Sequence, residues 1–497
     1  MRFRGVDLFA AGLLVCLTGF AQLPPNPTSL SSSMPADAPP KPAFNSGNFA
    51  EVQRKFDIFA WQEFVALNWP PGSPGQPGSG TIGKSASGDN LTVWETYMAA
   101  SQVFQPGAAT PAPWGTTQPI PSFCPVVPTG LKGKVRILPL IAKGDIQDEF
   151  TEAFTVSPLI DVEGKYTRYE IRMNQVEFNK ILQGSADSPA PAKPWYIPAN
   201  QIAPISFPAG IYQTDQIGAM EVKAAWRQIS QTQASRYHTA WAYITYAPGS
   251  NHLNTKCAGP FLMGLVGLHI THKTASGPQW IWATFEHVSN APSAPAIGHY
   301  SYYNNPACTF SPACADQQPA KPSGGWDGDP GKTYPPVQVI RATPIPPSKN
   351  SPTAGINPVF QKLLRNVNAK SVWQYYELVD SQWPQRPGTV QNPTQCYHNP
   401  TNPSDPLNFA CSGPMGDQGP GPVPSALANT TLETYFQKAP GNKQAFMGSC
   451  MGCHSNGTVA NGAPNSSLYS DFSFLLGDAQ PPSTSPNPPK ILRRTPK

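Results

Sequence analysis

The chain has 497 residues, of which 39% are hydrophobic and 13% are charged, and its net charge is +5. This composition suits a folded protein, and no basic run is interleaved with aromatic residues, so we expect no nucleic-acid partner. The 61 prolines and 41 glycines limit long helices, because proline breaks helix interiors. We therefore predict an α+β fold with a predominantly antiparallel β body, few short helices and a small helical segment near the C-terminus.

Residues 1–21 have the pattern of a secretory signal peptide. The basic start "MRFRG" precedes the mostly apolar "VDLFAAGLLVCLTGFA", and the small residues Gly19 and Ala21 precede a predicted cut near Gln22. The alternative is a retained membrane anchor, but the apolar stretch is shorter than the ~20 residues that span a bilayer. The sequence therefore predicts export to the periplasm, with no membrane span after signal cleavage.

Residues 22–47 are rich in proline and serine and predict an exposed leader. A main domain is predicted over residues 48–424, and it begins with a helix in "NFAEVQRKFDIFAWQEFVALNWP". Asn48 is its predicted N-cap, apolar residues recur at helical spacing, and Pro70 is the predicted stop. A second short helix is predicted over residues 91–104.

Beyond these helices the apolar period shifts towards two, which is typical of strands. One further helix is predicted in "NPVFQKLLRNVNA". The strands are predicted in runs of β-branched and aromatic residues separated by Gly, Pro, Asn and Ser: "KVRILPLIA", "YTRYEIRMN", "MEVKAAWRQI", "HTAWAYITYA", "FLMGLVGLHITHKT", "QWIWATFEHVSN" and "SVWQYYELVDSQWP". The segment "GLHITHKTASGPQWIWATFEHVSN" predicts a hairpin with its turn near Ser276 and Gly277.

Residues 425–480 form a separate C-terminal region with its own helix signals. "NTTLETYFQ" predicts a short helix with Thr430 or Thr431 as the cap and Glu433 in the first turn. The run "GSCMGCHSNG" follows, then "DFSFLLGDA". Residues 481–497 are a Pro-rich basic tail that we expect to be solvated.

The run "CMGCH" has the C-x-x-C-H spacing by which haem c is attached. Cys450 and Cys453 would each add to a haem vinyl group, and His454 would bind the iron as the proximal ligand. A zinc site would need four ligands, and only these three lie close together in the sequence. A thioredoxin-type redox pair would need a βαβ setting, which the sequence does not predict. The motif therefore predicts one covalently bound haem c.

"NTTLETYFQ", "SCMGCH" and "DFSFLL", with "WQEFVALNWP" and "WIWATFEHV" upstream, resemble bacterial monohaem c-type cytochromes that have a large β-rich N-terminal portion. This resemblance implies a periplasmic redox partner and dependence on the cytochrome c maturation machinery. A second resemblance is to the cytochrome P460 group, through the C-terminal motif followed by D-x-x-F, here Asp471 and Phe474. It implies a five-coordinate iron, but no motif here matches the haem-linked lysine of that group.

No methionine or histidine follows His454, so a distal iron ligand must come from upstream, or be water or nothing. Met263 and His272 are the candidates for that ligand. His269, His272, Glu286 and His287 are candidates for acid–base chemistry. His269 and His272 should point to opposite faces of their strand, and the adjacent pair Glu286 and His287 should do the same. The alternative for each is an ordinary core or surface residue.

Removing Cys16, Cys450 and Cys453 from the nine cysteines leaves six, an even number in an oxidising compartment. Local pairs Cys308–Cys314 and Cys396–Cys411 would leave Cys124 with Cys257. The alternative is free thiols, and six cysteines allow fifteen connectivities.

Three functions fit these patterns. The first is a periplasmic monohaem c-type cytochrome that transfers electrons. The second is a haem enzyme with an open distal site, acting on peroxide, a nitrogen oxide or a small organic substrate. The third is a binding protein stapled by haem, since the chain has 12 tryptophans. The sequence predicts a haem c protein and leaves the choice between carrier and enzyme open.

Overall fold

The computed structural model describes most of the main domain and parts of the C-terminal region. The described residues are 23–40, 48–83, 91–131, 135–139, 157–184, 193–245, 257–293, 298–304, 319, 328–341, 345, 352–384, 396–398, 409–411, 422–424, 427–437, 450–454, 457–460 and 468–482. The α-helices in this part of the chain are α1 (Phe49–Leu67), α2 (Ala100–Val103), α3 (Gln175–Gln183), α4 (Pro352–Val367) and α5 (Cys450–His454). The predicted signal peptide lies outside the described residues.

One nine-stranded sheet dominates the fold, and neighbouring strands along its main path are antiparallel. The strands of the described residues are β1 (Pro71–Ser73), β2 (Gln76–Pro77), β3 (Met98–Ala99), β4 (Val135–Pro139), β5 (Arg168–Met173), β6 (Met220–Gln228), β7 (Thr239–Thr245), β8 (Cys257–His272), β9 (Ile281–His287), β10 (Tyr376–Pro384), β11 (Cys396–His398), β12 (Phe409–Cys411) and β13 (Pro422–Val423). The order of the nine-stranded sheet is β13-β10-β9-β8-β6-β5-β3, and β7 joins β8 to β4, with β4 and β7 parallel. The pairs β1–β2 and β11–β12 form two separate two-stranded sheets. The predicted α+β class is confirmed.

The central strand is β8, which is 16 residues long and pairs with β6, β7 and β9. The predicted hairpin is confirmed, because β8 and β9 are antiparallel neighbours and Ser276 and Gly277 lie in the turn between them. Each of the other predicted strands also contains a strand of this sheet.

Helices α1 and α4 cover one face of the sheet, which we call the helix face. Phe64 of α1 stacks on Phe285 of β9 at 4.3 Å between ring centroids. Trp61 of α1 stacks on Phe360 of α4 at 5.0 Å and meets Phe285 edge-on at 5.0 Å. These rings are all buried. The apolar residues that alternate along the strands therefore meet the apolar side of each helix.

The C-terminal region covers the opposite face, which we call the motif face. Asn429 donates from Nδ2 to Thr284 Oγ1 and to the Phe285 carbonyl of β9. Met451 and Phe472 are buried in an apolar cluster with Trp282 of β9. The same strands that give an apolar helix face thus present their alternate residues to this region.

Four residues on the motif face form one row across neighbouring strands, which we call the motif row. Gln382 of β10 is opposite Trp282 of β9, Trp282 is opposite Thr271 of β8, and Thr271 is opposite Glu221 of β6. Adjacent strands are about 4.8 Å apart, so the distance between two residues of the motif row follows from the number of strands between them.

Several predicted elements differ in detail. Residues 91–104 form a 3-10 turn at Trp94–Thr96, strand β3 and the four-residue α2 instead of one helix. The predicted helix in "NTTLETYFQ" is only a 3-10 turn over Thr434–Phe436. Its threonines do not cap that turn, because the Thr430 hydroxyl donates to Glu286 of β9. Docking against the sheet replaces local capping there.

The ends of α1 follow the prediction with one exception. The helix begins directly after Asn48 and ends at Leu67, before Pro70. The Asn48 side chain makes no capping hydrogen bond.

The leader was expected to be exposed, but Asp37 is buried and accepts a 2.9 Å hydrogen bond from the Ser276 backbone N–H in the β8–β9 turn. Part of the leader is therefore packed against the sheet.

The structure contains the predicted Cys124–Cys257 disulfide, which joins residues 133 apart in sequence. Cys396 and Cys411 are directly opposite each other in the β11–β12 pair. Their pairing stays a prediction, because their side chains lie outside the described part. The pair Cys308–Cys314 also lies outside the described residues.

Candidate functional site

The C-x-x-C-H motif forms the short helix α5. Its helical backbone puts Cys450 and Cys453 at positions i and i+3, which lie on one side of a helix. Met451 between them is buried, and its backbone N–H donates to Gln382 Oε1 of the motif row at 2.8 Å. The backbone of the motif is thus fixed to the sheet. The side chain of Cys453 lies outside the described part of the structure.

His454 contacts a backbone carbonyl and two aromatic rings. Its Nδ1 lies 2.8 Å from the Phe472 carbonyl oxygen. A carbonyl can only accept, so we assign the proton to Nδ1, and Nε2 then carries the lone pair that can bind a metal. The Trp282 ring is 4.3 Å from the imidazole centroid and the Phe474 ring is 4.9 Å away. The imidazole therefore has a defined orientation and tautomer.

The Phe472 carbonyl is positioned by a tight turn. Asp471 and Phe472 have φ values of 56° and 66°, and the Ser473 N–H donates to the Ser470 carbonyl at 3.1 Å. Such left-handed backbone is strained for residues with a side chain and favours glycine or asparagine. Tertiary contacts must therefore stabilise this turn.

Asp471 supplies those contacts from inside the protein. Its Oδ2 forms an ion pair with Lys273, at the end of β8, and accepts the Phe207 N–H at 2.7 Å. Burial raises the pKa of Asp471, and the nearby Lys273 ammonium opposes that shift. The Lys273–Asp471 pair fixes the turn to the sheet and, through Phe472, orients His454. Asp471 and Phe474, the D-x-x-F pair, thus both lie beside the motif.

Two of the candidate acid–base residues lie on the motif face. His269 Nε2 is 3.3 Å from Glu433 Oε2. On β8, His269 is two residues from Thr271, so it is a diagonal neighbour of Trp282, on which His454 packs. Glu286 is fully buried, forms an ion pair with Arg341, and accepts hydrogen bonds from Thr430. Glu286 therefore holds the C-terminal region in place, whereas His269 lies nearer the motif.

The other two histidines lie on the helix face, as their odd spacing predicts. His272 Nδ1 contacts Glu63 Oε1 at 2.6 Å, and its Nε2 accepts the Gly218 N–H at 3.2 Å. His287 Nε2 donates to the Arg236 carbonyl at 2.9 Å, and its Nδ1 accepts the Ser289 N–H at 3.1 Å. Burial lowers the pKa of each to about 3. Both rings are neutral core groups with both nitrogens engaged.

This placement corrects the expectation for the distal ligand. Met263 is completely buried in the core cluster beneath α1 and α4. His272 belongs to the same face and stacks near Phe59 of α1 at 5.9 Å. The sheet separates both from His454, which packs on the motif face. Neither is positioned to bind an iron held by His454, because strand alternation sends their side chains away from the motif.

The sequence did not reveal Trp282, Lys273 or the Phe472 carbonyl as partners of the motif. Trp282 is 172 positions before His454 in the chain, and no local pattern connects them. In the sequence, only the D-x-x-F resemblance pointed to the turn that contains Asp471 and Phe472. The rest depends on how the C-terminal region lies on the sheet.

No protein-family model, no curated protein and no solved structure matches this chain. Within the described ranges, no helix combines the length and apolarity needed to cross a membrane. In the same ranges, no three or more His, Cys, Asp or Glu side chains are grouped to hold a bare metal ion.

Proposed function

We propose that this chain is an exported monohaem c-type cytochrome. Cys450 and Cys453 would hold one haem c through thioether bonds, and His454 would bind its iron. The observation that supports this most directly is the hydrogen bond from His454 Nδ1 to the Phe472 carbonyl. Histidines that bind metals through one nitrogen usually donate the other N–H to a carbonyl or carboxylate. The motif residues therefore fit a haem group by this contact as well as by their spacing.

Bound haem would supply one-electron redox chemistry at its iron. The residues of this chain prepare that site. Phe472 fixes the tautomer of His454, and Trp282 and Phe474 pack against its ring. Lys273 and Asp471 keep the Phe472 turn in place. The Cys124–Cys257 disulfide is consistent with an oxidising compartment such as the periplasm. A periplasmic redox partner and the cytochrome c maturation machinery are the partners of this proposal.

A second candidate is a haem enzyme with an open distal site, and one observation favours it. The two upstream distal candidates, Met263 and His272, lie behind the sheet, whereas His269 with Glu433 lies on the motif face. A histidine beside a carboxylate is a suitable proton donor or acceptor for small oxidised substrates. In this reading His269 is the acid–base group and Glu433 orients it.

The first experiment tests haem attachment. The full chain is expressed with cytochrome c maturation proteins, and its mass and alkaline pyridine spectrum are recorded. We expect one added porphyrin and a haem c spectrum, with complete loss of both in the Cys450→Ala/Cys453→Ala variant. The matched control, Cys124→Ser/Cys257→Ser, should keep haem in every folded molecule. A colourless wild-type protein of unmodified mass would refute the proposal.

The second experiment separates carrier from enzyme. Carbon monoxide is added to the ferrous protein and its binding is followed optically. Rapid binding shows an exchangeable iron site, and His269→Gln should then slow turnover with peroxide or nitrite while leaving carbon monoxide binding intact. A low-spin spectrum that carbon monoxide does not change supports the electron carrier instead.

A further inference from the structure

Two glutamates meet beside the motif without any role in the site described above. Glu177 lies in the first turn of α3, whose cap is Asn174, and Glu221 is the second residue of β6. Asn174 Oδ1 accepts both the Glu177 N–H at 3.0 Å and the Met220 N–H at 3.2 Å. This shared acceptor joins the start of α3 to the start of β6. The carboxyl groups of Glu177 and Glu221 consequently lie close enough to each other to interact.

The surroundings of this carboxyl pair do not supply enough donors for two charged groups. Glu177 is fully buried, and within the described residues no N–H or O–H donates to either of its oxygens. Glu221 receives the Ser473 hydroxyl, while Glu221 Oε1 also has no such donor in the described part. Two carboxylates in contact repel each other strongly, so the fully buried Glu177 beside the half-buried Glu221 favours a protonated carboxyl in the pair.

The charges near the pair reinforce this conclusion. Asp471 on the Phe472 turn adds a further negative charge, and Lys223 on β6 partly compensates it. Lys273, which directly follows β8, is already paired with Asp471. Burial raises the pKa of Glu221 to about 7, and burial together with Glu221 raises the pKa of Glu177 well above its usual range. The pair therefore exchanges a proton near neutral pH.

The pair is also connected to His454. Ser473, which donates to Glu221, directly follows Phe472, whose carbonyl accepts from His454. Glu221 belongs to the motif row and is two strands, or about 10 Å, from Trp282. His454 packs on Trp282, so a charge on an iron bound by His454 would act on the pair across these two strands. Under the proposed function, a change of that charge would alter proton binding by the pair.

We propose that Glu177 and Glu221 share one proton whose uptake is linked to reduction of the haem iron held by His454. This inference rests on the proposed function. The pair takes up one proton from solvent when the iron accepts one electron from an external one-electron donor, and it releases that proton when the iron is reoxidised. Ferric iron carries one more positive charge than ferrous iron, so it favours the charged pair.

The test is a potentiometric titration of the haem protein with one-electron mediators between pH 5 and pH 9. We expect the wild-type midpoint potential to fall as the pH rises near 7, with a slope approaching ~59 mV per pH unit, the value for one proton per electron. Glu177→Gln and Glu221→Gln should each flatten this slope. Asp57→Asn is the matched control, because Asp57 is also a buried carboxyl that lies close to a second one, Asp380, but on α1.

A wild-type potential independent of pH in this range overturns the inference, and so does an unchanged slope in both glutamine variants. Should the variants not fold, the redox-difference infrared spectrum of the wild-type protein decides. A protonated carboxyl band that appears on reduction supports the pair, and its absence refutes it. A protein without haem is a different result, since it refutes the proposed function itself before any potential is measured.

Discussion

The two faces of the sheet differ in what covers them and in how they handle charge. The helix face is covered by α1 and α4, and its histidines are buried as neutral groups. The motif face is covered by the C-terminal region and contains an ion pair, Lys273–Asp471, and a carboxyl pair, Glu177–Glu221. One set of alternating strands thus provides stability on one side and chemistry on the other. Changes on each face should have separable effects.

The largest effect is expected on the helix face. Trp61→Ala removes a ring that packs on Phe285 and Phe360 and a donor to Asn357 Oδ1. We expect a loss of about 3–5 kcal/mol in the free energy of unfolding, measured by urea denaturation. Haem content per folded molecule should not change. A variant that folds but lacks haem would show that the two faces are not independent.

The next effect is expected on the motif face. Lys273→Met leaves Asp471 buried without its cation, and we expect a loss of about 2–4 kcal/mol at neutral pH. The loss should shrink at lower pH, because Asp471 can then take up a proton. A second substitution, Asp471→Asn, should recover part of the stability in the double variant, as a double-mutant cycle will show. The haem spectrum should shift as well, since this pair positions the turn that orients His454.

The pH dependence should have opposite signs for His287 on the helix face and Glu221 on the motif face. His287 has a folded pKa of about 3 against an ordinary value of 6.5. Its neutral form contributes stability that is complete above about pH 6.5 and is lost as the pH falls towards 3. His287→Gln should therefore remove a slope of up to about 1.4 kcal/mol per pH unit below pH 6.5.

Glu221 should behave in the reverse sense. Its pKa is raised from 4.5 to about 7, so its contribution is complete below pH 4.5 and is lost as the pH rises through 7. Glu221→Gln should gain stability relative to wild type over that range, with a slope of at most about 1.4 kcal/mol per pH unit. Urea denaturation of the His287→Gln and Glu221→Gln variants at several pH values checks both predictions. Slopes of equal sign would contradict the contrast between His287 and Glu221.

The smallest effect is expected on the outer side of α1. Glu51 forms a partly exposed ion pair with Lys55 at 3.6 Å. Glu51→Gln should cost only about 0.3–0.5 kcal/mol, as is usual for such pairs. Thermal unfolding at low and high salt measures it. A loss above 1 kcal/mol would mean that the first turn of α1 is held by more than packing.

Strands, hairpin and facing could be predicted from the sequence because they depend on local period. The odd spacing of His269 and His272 correctly placed them on opposite faces. The failures have a different cause. "NTTLETYFQ" has helix signals, but the Thr430 hydroxyl donates a hydrogen bond to Glu286. That hydrogen bond forms only when the C-terminal region packs on the sheet. Secondary structure predicted from local sequence is therefore wrong where residues distant in the chain bind the side chains that would cap a helix.

The candidate site was predictable only in part for the same reason. Cys450, Cys453 and His454 form a motif that is complete within five residues, so the sequence contains it whole. Its supporting groups come from β8, β9 and a turn seventeen residues later. The placement of the distal candidates on the helix face was not predicted, because a residue type, such as Met263, does not reveal which side of a sheet it faces.

The buried position of Met451 has a consequence for biogenesis. In the folded chain its side chain is covered and its amide is engaged by Gln382. Under the proposed function, the enzyme that attaches the haem would have to act on the five motif residues before this segment packs onto the sheet. The time between secretion and packing of this segment would then determine the yield of haem-loaded protein. Gln382→Ala should slow that packing and raise the yield in a host that attaches haem slowly.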